Sequence, residues 1–132
     1  MGTAVIRALA EAGISIAGTH AIAVRGRKSG KLRRSVINLM TIDEVSYLVA
    51  PRGNTEWVRN VRAAGQIQVG PRWRTRWFTA TEVTDDDKPE LLRQYLQRWY
   101  WQVKGHVAGL TPHSSEEALR QAAPVIPVFS LR

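Results

Sequence analysis

The chain has 132 residues, the length of one domain, and 44% of them are hydrophobic, which is enough to bury a core. Its net charge of +8 predicts an anionic partner: a nucleic acid, an anionic lipid or an acidic small molecule. The absence of cysteine excludes disulfides, thiolate nucleophiles and cysteine-ligated metals, and is typical of a cytoplasmic protein.

The N-terminal segment, residues 1–19, is predicted to form a short amphipathic helix over 4–12, ended by Gly13, and a lead-in to the first strand. No apolar run approaches the roughly 20 residues that span a bilayer. We expect the helix to cover one end of the core. The alternative is that it brings the protein into peripheral contact with the inner face of the membrane.

The next part of the chain reads as strands around one helix. Segments rich in β-branched residues predict strands at 20–24, 35–40 and 45–50. Residues 54–64 are predicted to be helical, because Asn54 or Thr55 can cap the first turn, Glu56 suits its positive end and Gly65 stops it. A short strand is predicted over 66–70.

The remaining elements include a strand with a period of two over 73–83, in which Trp73 and Trp77 share a face. The longest helix is predicted over 85–105, and only one of Trp99 and Trp101 can face inward on it. A capping box from Ser114 to Glu117 opens a helix over 114–123, and residues 124–131 are extended.

Six short strands without regular β-α-β alternation predict an α+β fold with a mostly antiparallel sheet. A split β-barrel would remove most exposed edges. We therefore expect a single split-barrel domain over residues 1–132, with flanking helices.

The segment VRGRKSGKLRRS, residues 24–35, places six cations around two glycines. Its GRKSGK core is not a P-loop, because only three residues separate the glycines, Leu32 follows Lys31, and no helix follows. A loop between two strands fits better. There Gly26 and Gly30 permit a tight turn and Ser29 adds a hydroxyl, which is a suitable cradle for an anion.

Two blocks carry a resemblance to a known family: the GRKSG loop, and the pattern A-x-x-G-x-x-x-W-x-x-N-x-x-A from Ala50 to Ala63. In this order and spacing the chain resembles the deazaflavin-dependent nitroreductases over about residues 20–131. These are split-barrel proteins related to the pyridoxamine-phosphate oxidase-like FMN-binding proteins. The resemblance implies an F-420-dependent reductase and an actinobacterial source.

The implied cofactor is coenzyme F-420, an 8-hydroxy-5-deazaflavin whose tail carries a phosphodiester and several glutamates. By resemblance, its phosphate would lie near the GRKSG loop, and its glutamates near Lys31, Arg33 and Arg34. The ring would lie beside Pro51–Asn54, braced by the next helix. Asn38, a polar residue in an apolar strand, is added as a candidate. The predicted cofactor-binding residues are Arg27, Lys28, Ser29, Gly30, Lys31, Arg33, Asn38, Pro51, Arg52, Gly53, Asn54, Trp57 and Asn60.

The chemistry implied by the resemblance is hydride transfer from the reduced cofactor to a quinone, a nitro-aromatic or an activated C=C bond. Tyr95 and Tyr100 are the candidate proton donors. No metal site is predicted, since the three histidines have no ligand spacing. The chain has Thr55-Glu56 before Trp57, where a proline is common in the family, so the acceptor stays open.

Several alternatives stay open at this point. FMN could replace F-420, or the protein could hold F-420 without catalysis. A nucleic-acid module is less favoured, because alternation places Arg72, Arg74 and Arg76 opposite Trp73 and Trp77, whereas base stacking requires both groups on one face. We expect these two tryptophans in the core or in a dimer interface; both monomer and homodimer are compatible with the resemblance.

Overall fold

Six antiparallel strands close into a barrel in the order β1-β2-β3-β6-β5-β4. The structure is a computed structural model and describes residues 19–103 and 107–132. The predicted α+β split-barrel class is confirmed, whereas the predicted helix over 4–12 lies outside the described residues. The strands are β1 (Thr19–Arg25), β2 (Leu32–Ile42), β3 (Val45–Val49), β4 (Gln66–Val69), β5 (Arg76–Glu82) and β6 (Val128–Leu131).

Within the described residues, three α-helices accompany the barrel: α1 (Glu56–Ala64), α2 (Lys88–Val103) and α3 (Glu116–Ala122). Short 3-10 turns precede α2 at Asp85–Asp87 and follow α3 at Ala123–Val125. No helix in the described parts of the chain is both long and apolar enough to cross a membrane.

Strand β2 is longer than the sequence indicated and serves two neighbours. Its first half, Leu32 to Asn38, pairs with β1, and its second half, Leu39 to Ile42, pairs with β3. The predicted start at Ser35 was three residues late. The reason is that backbone pairing with β1 recruits Leu32–Arg34 into the strand although two of these three residues are charged.

The buried side chains form two clusters on opposite faces of the sheet. The first fills the barrel and is closed by α1, with Ile22, Leu48, Val58, Ile67 and Phe129 among its members. We call it the barrel core. The second lies between the outer face of the barrel and helices α2 and α3, with members that include Met40, Val49, Leu96, Trp99 and Leu119. We call it the helix-side core.

Alternation along the strands explains why two clusters form. Leu48 enters the barrel core and its neighbour Val49 the helix-side core, and Phe129 and Val128 divide in the same way. Successive side chains on a strand point to opposite faces, so a strand covered on both faces is apolar throughout.

The start of β5 corrects one prediction. Residues 71–74 form a turn in which the N–H of Arg74 donates to the carbonyl of Pro71 (2.9 Å), so β5 begins at Arg76 and not at residue 73. Trp73 and Trp77 are 68% and 47% exposed. Of their two predicted locations, the core is therefore wrong, and the dimer interface stays a prediction. Phe78 and Ala80 pack against the barrel core instead.

One detail of α3 differs from the prediction, and one detail of α2 confirms it. The hydroxyl of Ser115, not Ser114, caps α3 by accepting from the N–H of Ala118, whereas the Ser114 hydroxyl accepts from the N–H of Thr111. On α2, Trp99 is buried and Trp101 is 68% exposed, as the helical period predicted.

Candidate functional site

The basic loop between β1 and β2 is closed by its own backbone. The N–H of Gly26 donates to the carbonyl of Lys31 (2.8 Å), and the N–H of Gly30 donates to the carbonyl of Gly26 (2.9 Å). Gly30 has a φ of 74°, in the left-handed region that glycine adopts without strain. The N–H of Lys31 donates to the Ser29 hydroxyl, and Arg25 donates to the Gly30 carbonyl. The amides of Gly26, Gly30 and Lys31 are therefore occupied within the loop.

Helix α1 holds this loop through one buried amide. Asn60 is only 6% exposed, and its Oδ1 accepts from both the backbone N–H of Arg27 (3.1 Å) and the Arg27 guanidinium (2.8 Å). Glu56, one turn earlier, pairs with the same guanidinium at 2.9 Å. We call this three-residue arrangement the latch; it fixes the loop against the first two turns of α1.

The latch has an electrostatic signature. The hydrogen bond from Arg27 and its positive charge lower the pKa of Glu56, and the charges of Lys28 and Arg59 act in the same direction. The carboxylate therefore stays ionised to a lower pH than an ordinary glutamate. Its charge balances that of Arg27 locally.

A cavity of about 490 Å³ opens beside the latch. Its lining combines cationic and apolar side chains, and the volume is that of an ordinary small-molecule site. The cavity is lined by Ile22, Val24, Gly26, Arg27, Lys28, Ser29, Arg33, Arg34, Ser35, Val36, Ile37, Thr55, Glu56, Trp57 and Asn60. We call it the basic cavity.

Thr55 contributes a buried hydroxyl to this cavity. It is the N-cap residue of α1, yet its side chain makes no capping hydrogen bond. Its Oγ1 is buried without a hydrogen-bond partner among the described residues. A buried hydroxyl without a partner is costly, by about 1–3 kcal/mol, so this atom beside the cavity is a candidate contact for a ligand.

A second, more open cleft of about 560 Å³ follows on the N-terminal side of Thr55. It is lined by Pro51, Arg52, Gly53 and Asn54 together with Ala108, Pro124, Val125 and Ile126. Gly53, with a φ of 83°, turns the backbone, and Arg62 fixes Asn54 by donating to its Oδ1 (2.7 Å). We call it the open cleft.

A model of the F420H2-dependent quinone reductase family matches residues 3–106, which is most of the chain. F420H2 is the reduced form of coenzyme F-420. This chain belongs to the F420H2-dependent quinone reductase family. The expected identification as an F-420-dependent reductase, and hence as an enzyme, is confirmed at this level. No curated protein matches the chain.

Solved structures agree on the fold. An F420-H2 dependent reductase superposes with a TM-score of 0.60 at 19% identity, covering 87% of this chain and 94% of that one. A protein described as a domain-swapped dimer gives 0.61 at 17% identity, covering 98% and 92%. A conserved hypothetical protein from Mycobacterium tuberculosis gives 0.53 at 17% identity, covering 100% and 80%. At these identities the likeness concerns the fold.

The residues predicted to bind the cofactor fall into three groups in this reductase-family chain. The first group lines the basic cavity: Arg27, Lys28, Ser29, Arg33, Trp57 and Asn60. The second lines the open cleft: Pro51, Arg52, Gly53 and Asn54. The third is not among the residues that line either one: Gly30, Lys31 and Asn38.

Asn38 and Tyr95 meet on the other face of the sheet. Tyr95 lies in the helix-side core against Trp99, with ring centroids 5.4 Å apart, and its side chain hydrogen-bonds to Asn38. Burial raises the pKa of Tyr95 to about 12, and the bond to Asn38 offsets this slightly. Tyr100 packs against the same core. Neither tyrosine is among the residues that line the two cavities.

Sequence reasoning did not assign Thr55 and Glu56 to the site, although both line the basic cavity. Thr55 was assigned only as a possible helix cap, and nothing in the sequence distinguishes a capping threonine from one that turns away. Glu56 was explained by the helix dipole, but its ion pair with Arg27, 29 positions earlier, needs the fold. The sequence feature that drew attention to these two residues was that Thr55-Glu56 stands where a proline is common in the family.

Proposed function

We propose that the chain binds reduced coenzyme F-420 in the basic cavity and catalyses hydride transfer from it to a quinone, a nitro-aromatic or an activated C=C acceptor. One observation carries this proposal: a cavity of about 490 Å³ combines several cations and a buried hydroxyl without a partner with an apolar wall. A cofactor with a polyanionic tail and a flat ring requires both surfaces. When bound, F-420 supplies the two electrons as a hydride.

The cations have different roles in this proposal. Lys28 and Arg33 bind the anionic tail, and the Ser29 hydroxyl donates to it, since that hydroxyl accepts from Lys31 and retains its own proton. Arg27 is a positioning residue, because the latch already occupies its guanidinium. The residues Ile22, Val24 and Ile37 supply the apolar part of the lining, and Val24 lies beside Arg33 across the β1–β2 ladder.

The open cleft suits the acceptor. Asn54 lines it and the next residue, Thr55, lines the basic cavity, so the two spaces are lined by consecutive residues of the chain. An acceptor in the cleft would be near a ring placed at the Thr55 end of the basic cavity. Quinones and nitro-aromatics are flat, and Pro51, Pro124, Val125 and Ile126 offer them an apolar surface.

The test is a fluorescence titration of F-420 with the purified chain. We expect saturable quenching, which Lys28→Glu weakens about tenfold to hundredfold, the range for one hydrogen-bonded charge. Arg120→Glu, a reversal on exposed α3, is the matched control and leaves the affinity unchanged. Absence of binding by the wild-type chain, or equal weakening by both variants, would contradict the proposal. A parallel titration with FMN decides between the two cofactors.

Catalysis is tested separately from binding. Oxidation of reduced F-420 by menadione or by a nitroimidazole, followed by the return of cofactor absorbance, distinguishes an enzyme from a carrier. We expect turnover with at least one of these acceptors. Tight binding without turnover of any acceptor would leave the chain an F-420 carrier and contradict the reductase activity.

We also propose a homodimer, as the resemblance allowed. The support is that one protein of the same fold is described as a domain-swapped dimer. Sedimentation velocity at several protein concentrations tests this, and a monomer throughout the range would contradict it.

A further inference from the structure

The hairpin between β4 and β5 presents aromatic and cationic side chains together at an exposed apex. Its turn runs from Pro71 to Arg74, so Arg72 and Trp73 occupy the two central positions. Trp73 is 68% exposed and Trp77, at the start of β5, is 47% exposed. Exposed indoles are unusual on a protein surface, since tryptophan is one of the residues with most to gain from leaving water.

The base of this hairpin is fixed. The N–H of Gly70 donates to the carbonyl of Ala21 (2.8 Å), which ties the hairpin to β1. Gly70 has a φ of 116°, and a Cβ at this position would lie 2.4 Å from the Arg74 carbonyl oxygen. Only glycine fits there, so the turn holds its apex in a defined position.

Charge is distributed unevenly around this hairpin. No acidic residue occurs between Glu56 and Glu82, and the hairpin itself carries Arg72, Arg74 and Arg76. Residues 19–81 hold twelve lysines and arginines against three acidic residues, a net +9. Residues 82–132 hold six against seven, a net −1. The hairpin therefore belongs to the cationic part of the chain.

We propose that the β4–β5 hairpin docks the protein on an anionic lipid bilayer, with Trp73 and Trp77 at the level of the headgroups and the arginines on lipid phosphates. Indoles favour the boundary between headgroups and acyl chains because they are apolar with one polar N–H. Each lysine or arginine near an anionic membrane surface adds to the attraction. The proposal uses no residue of the basic cavity and does not depend on F-420.

Two other occupants fit this surface less well. The guanidinium of Arg76 lies 5.4 Å from the centre of the Phe78 ring, on the barrel side of β5, and Trp77 points to the opposite face. Stacking of single-stranded nucleic acid requires cations and aromatics along one groove. In a symmetric dimer through this surface, one arginine-rich hairpin would face another, which is repulsive.

Co-sedimentation of the full chain with vesicles tests the proposal. We expect binding to vesicles of equal parts phosphatidylcholine and phosphatidylglycerol, weakened by salt, and none to phosphatidylcholine alone. Arg74→Ser should weaken the partition about fivefold, the effect of one cation near an anionic surface. Trp73→Ser should weaken it by a similar or larger factor. Trp101→Ser is the matched control, because Trp101 is equally exposed but lies on α2 outside the cationic part.

The outcomes that overturn the proposal are distinct. The first is that the wild-type chain does not bind the mixed vesicles, and the second is that Trp73→Ser and Trp101→Ser weaken vesicle binding equally. The third is tighter binding to a single-stranded oligonucleotide than to the vesicles. The fourth is a dimer that Trp73→Ser dissociates without a change in vesicle binding. Urea unfolding, measured in parallel, reports whether each variant is folded, and its midpoint should be unchanged.

Discussion

The barrel core and the helix-side core bury the two faces of the same sheet, but they differ in what borders them. The barrel core is closed by α1, and Trp57 and the buried Asn60 of that helix line a cationic cavity. The helix-side core is closed by α2 and α3. Its polar contacts include the Asn38–Tyr95 hydrogen bond and the buried ammonium of Lys88, which donates to a backbone carbonyl of the same core. No buried residue of the helix-side core lines the basic cavity, so the proposed cofactor site borders the barrel core.

Replacing a large side chain of the helix-side core should have the largest effect on the free energy of unfolding. Trp99→Ala should lower the free energy of unfolding by about 3–5 kcal/mol, because it leaves a cavity beside Tyr95. The affinity of the remaining folded protein for F-420 should change little. Urea unfolding and the fluorescence titration measure the two effects, and a parallel loss of affinity would show that the two faces are coupled.

Breaking the latch should affect the barrel side instead. Asn60→Ala removes the acceptor for two hydrogen bonds from Arg27, and we expect a loss of about 1–3 kcal/mol in unfolding free energy. The affinity for F-420 should fall as well, since the basic loop loses its attachment to α1. Asn60→Asp keeps the acceptor and should restore much of both. A stability loss with unchanged affinity would confine the latch to a structural role.

The Thr55 hydroxyl gives a smaller and more specific effect. Thr55→Val preserves shape and removes one hydrogen bond, so the affinity for F-420 should fall about twofold to tenfold without a loss of stability. Thr55→Ser retains the hydroxyl and serves as the control. If both variants bind F-420 equally tightly, the hydroxyl does not contact the cofactor.

Replacing Tyr95 should have the smallest effect on the free energy of unfolding below pH 10. Its folded pKa of about 12 lies above the ordinary 10, so the folded state disfavours the phenolate. The contribution of this residue to stability is complete below pH 10 and is lost as the pH rises from 10 through 12. Tyr95→Phe should cost about 1 kcal/mol at neutral pH and reduce the alkaline decline, as urea unfolding at a series of pH values would show.

The same variant tests the candidate proton donor. A buried phenol in the helix-side core should leave turnover of reduced F-420 nearly unchanged when it becomes phenylalanine. A large fall in turnover with unchanged cofactor affinity would assign Tyr95 to the reaction after all.

The sequence predicted most of the fold because the periodic signals are local. Alternation located the strands, and Gly65 marked the end of α1, where its φ of 70° fits the left-handed cap. The strand starts were less predictable. Arg33 and Arg34 join β2 because β1 pairs with them, and Trp73 leaves β5 because the Pro71 turn takes precedence over alternation.

The candidate site could be predicted only in part. Loop composition identified Lys28, Ser29 and Arg33, since clustered cations and glycines act locally. The latch joins Arg27 to Asn60 across 33 positions, and Asn38 faces the helix-side core because of strand parity. Both facts depend on which elements the fold brings together, and no local pattern contains them.

Strand β2 passes through both halves of the molecule, and this restricts how its length can vary among related sequences. Arg33 faces the basic cavity near one end and Met40 enters the helix-side core near the other, seven residues apart on one continuous ladder. If one residue were inserted between them, every side chain of the strand on one side of the insertion would point to the opposite face of the sheet. Insertions and deletions should therefore be excluded from residues 32–42.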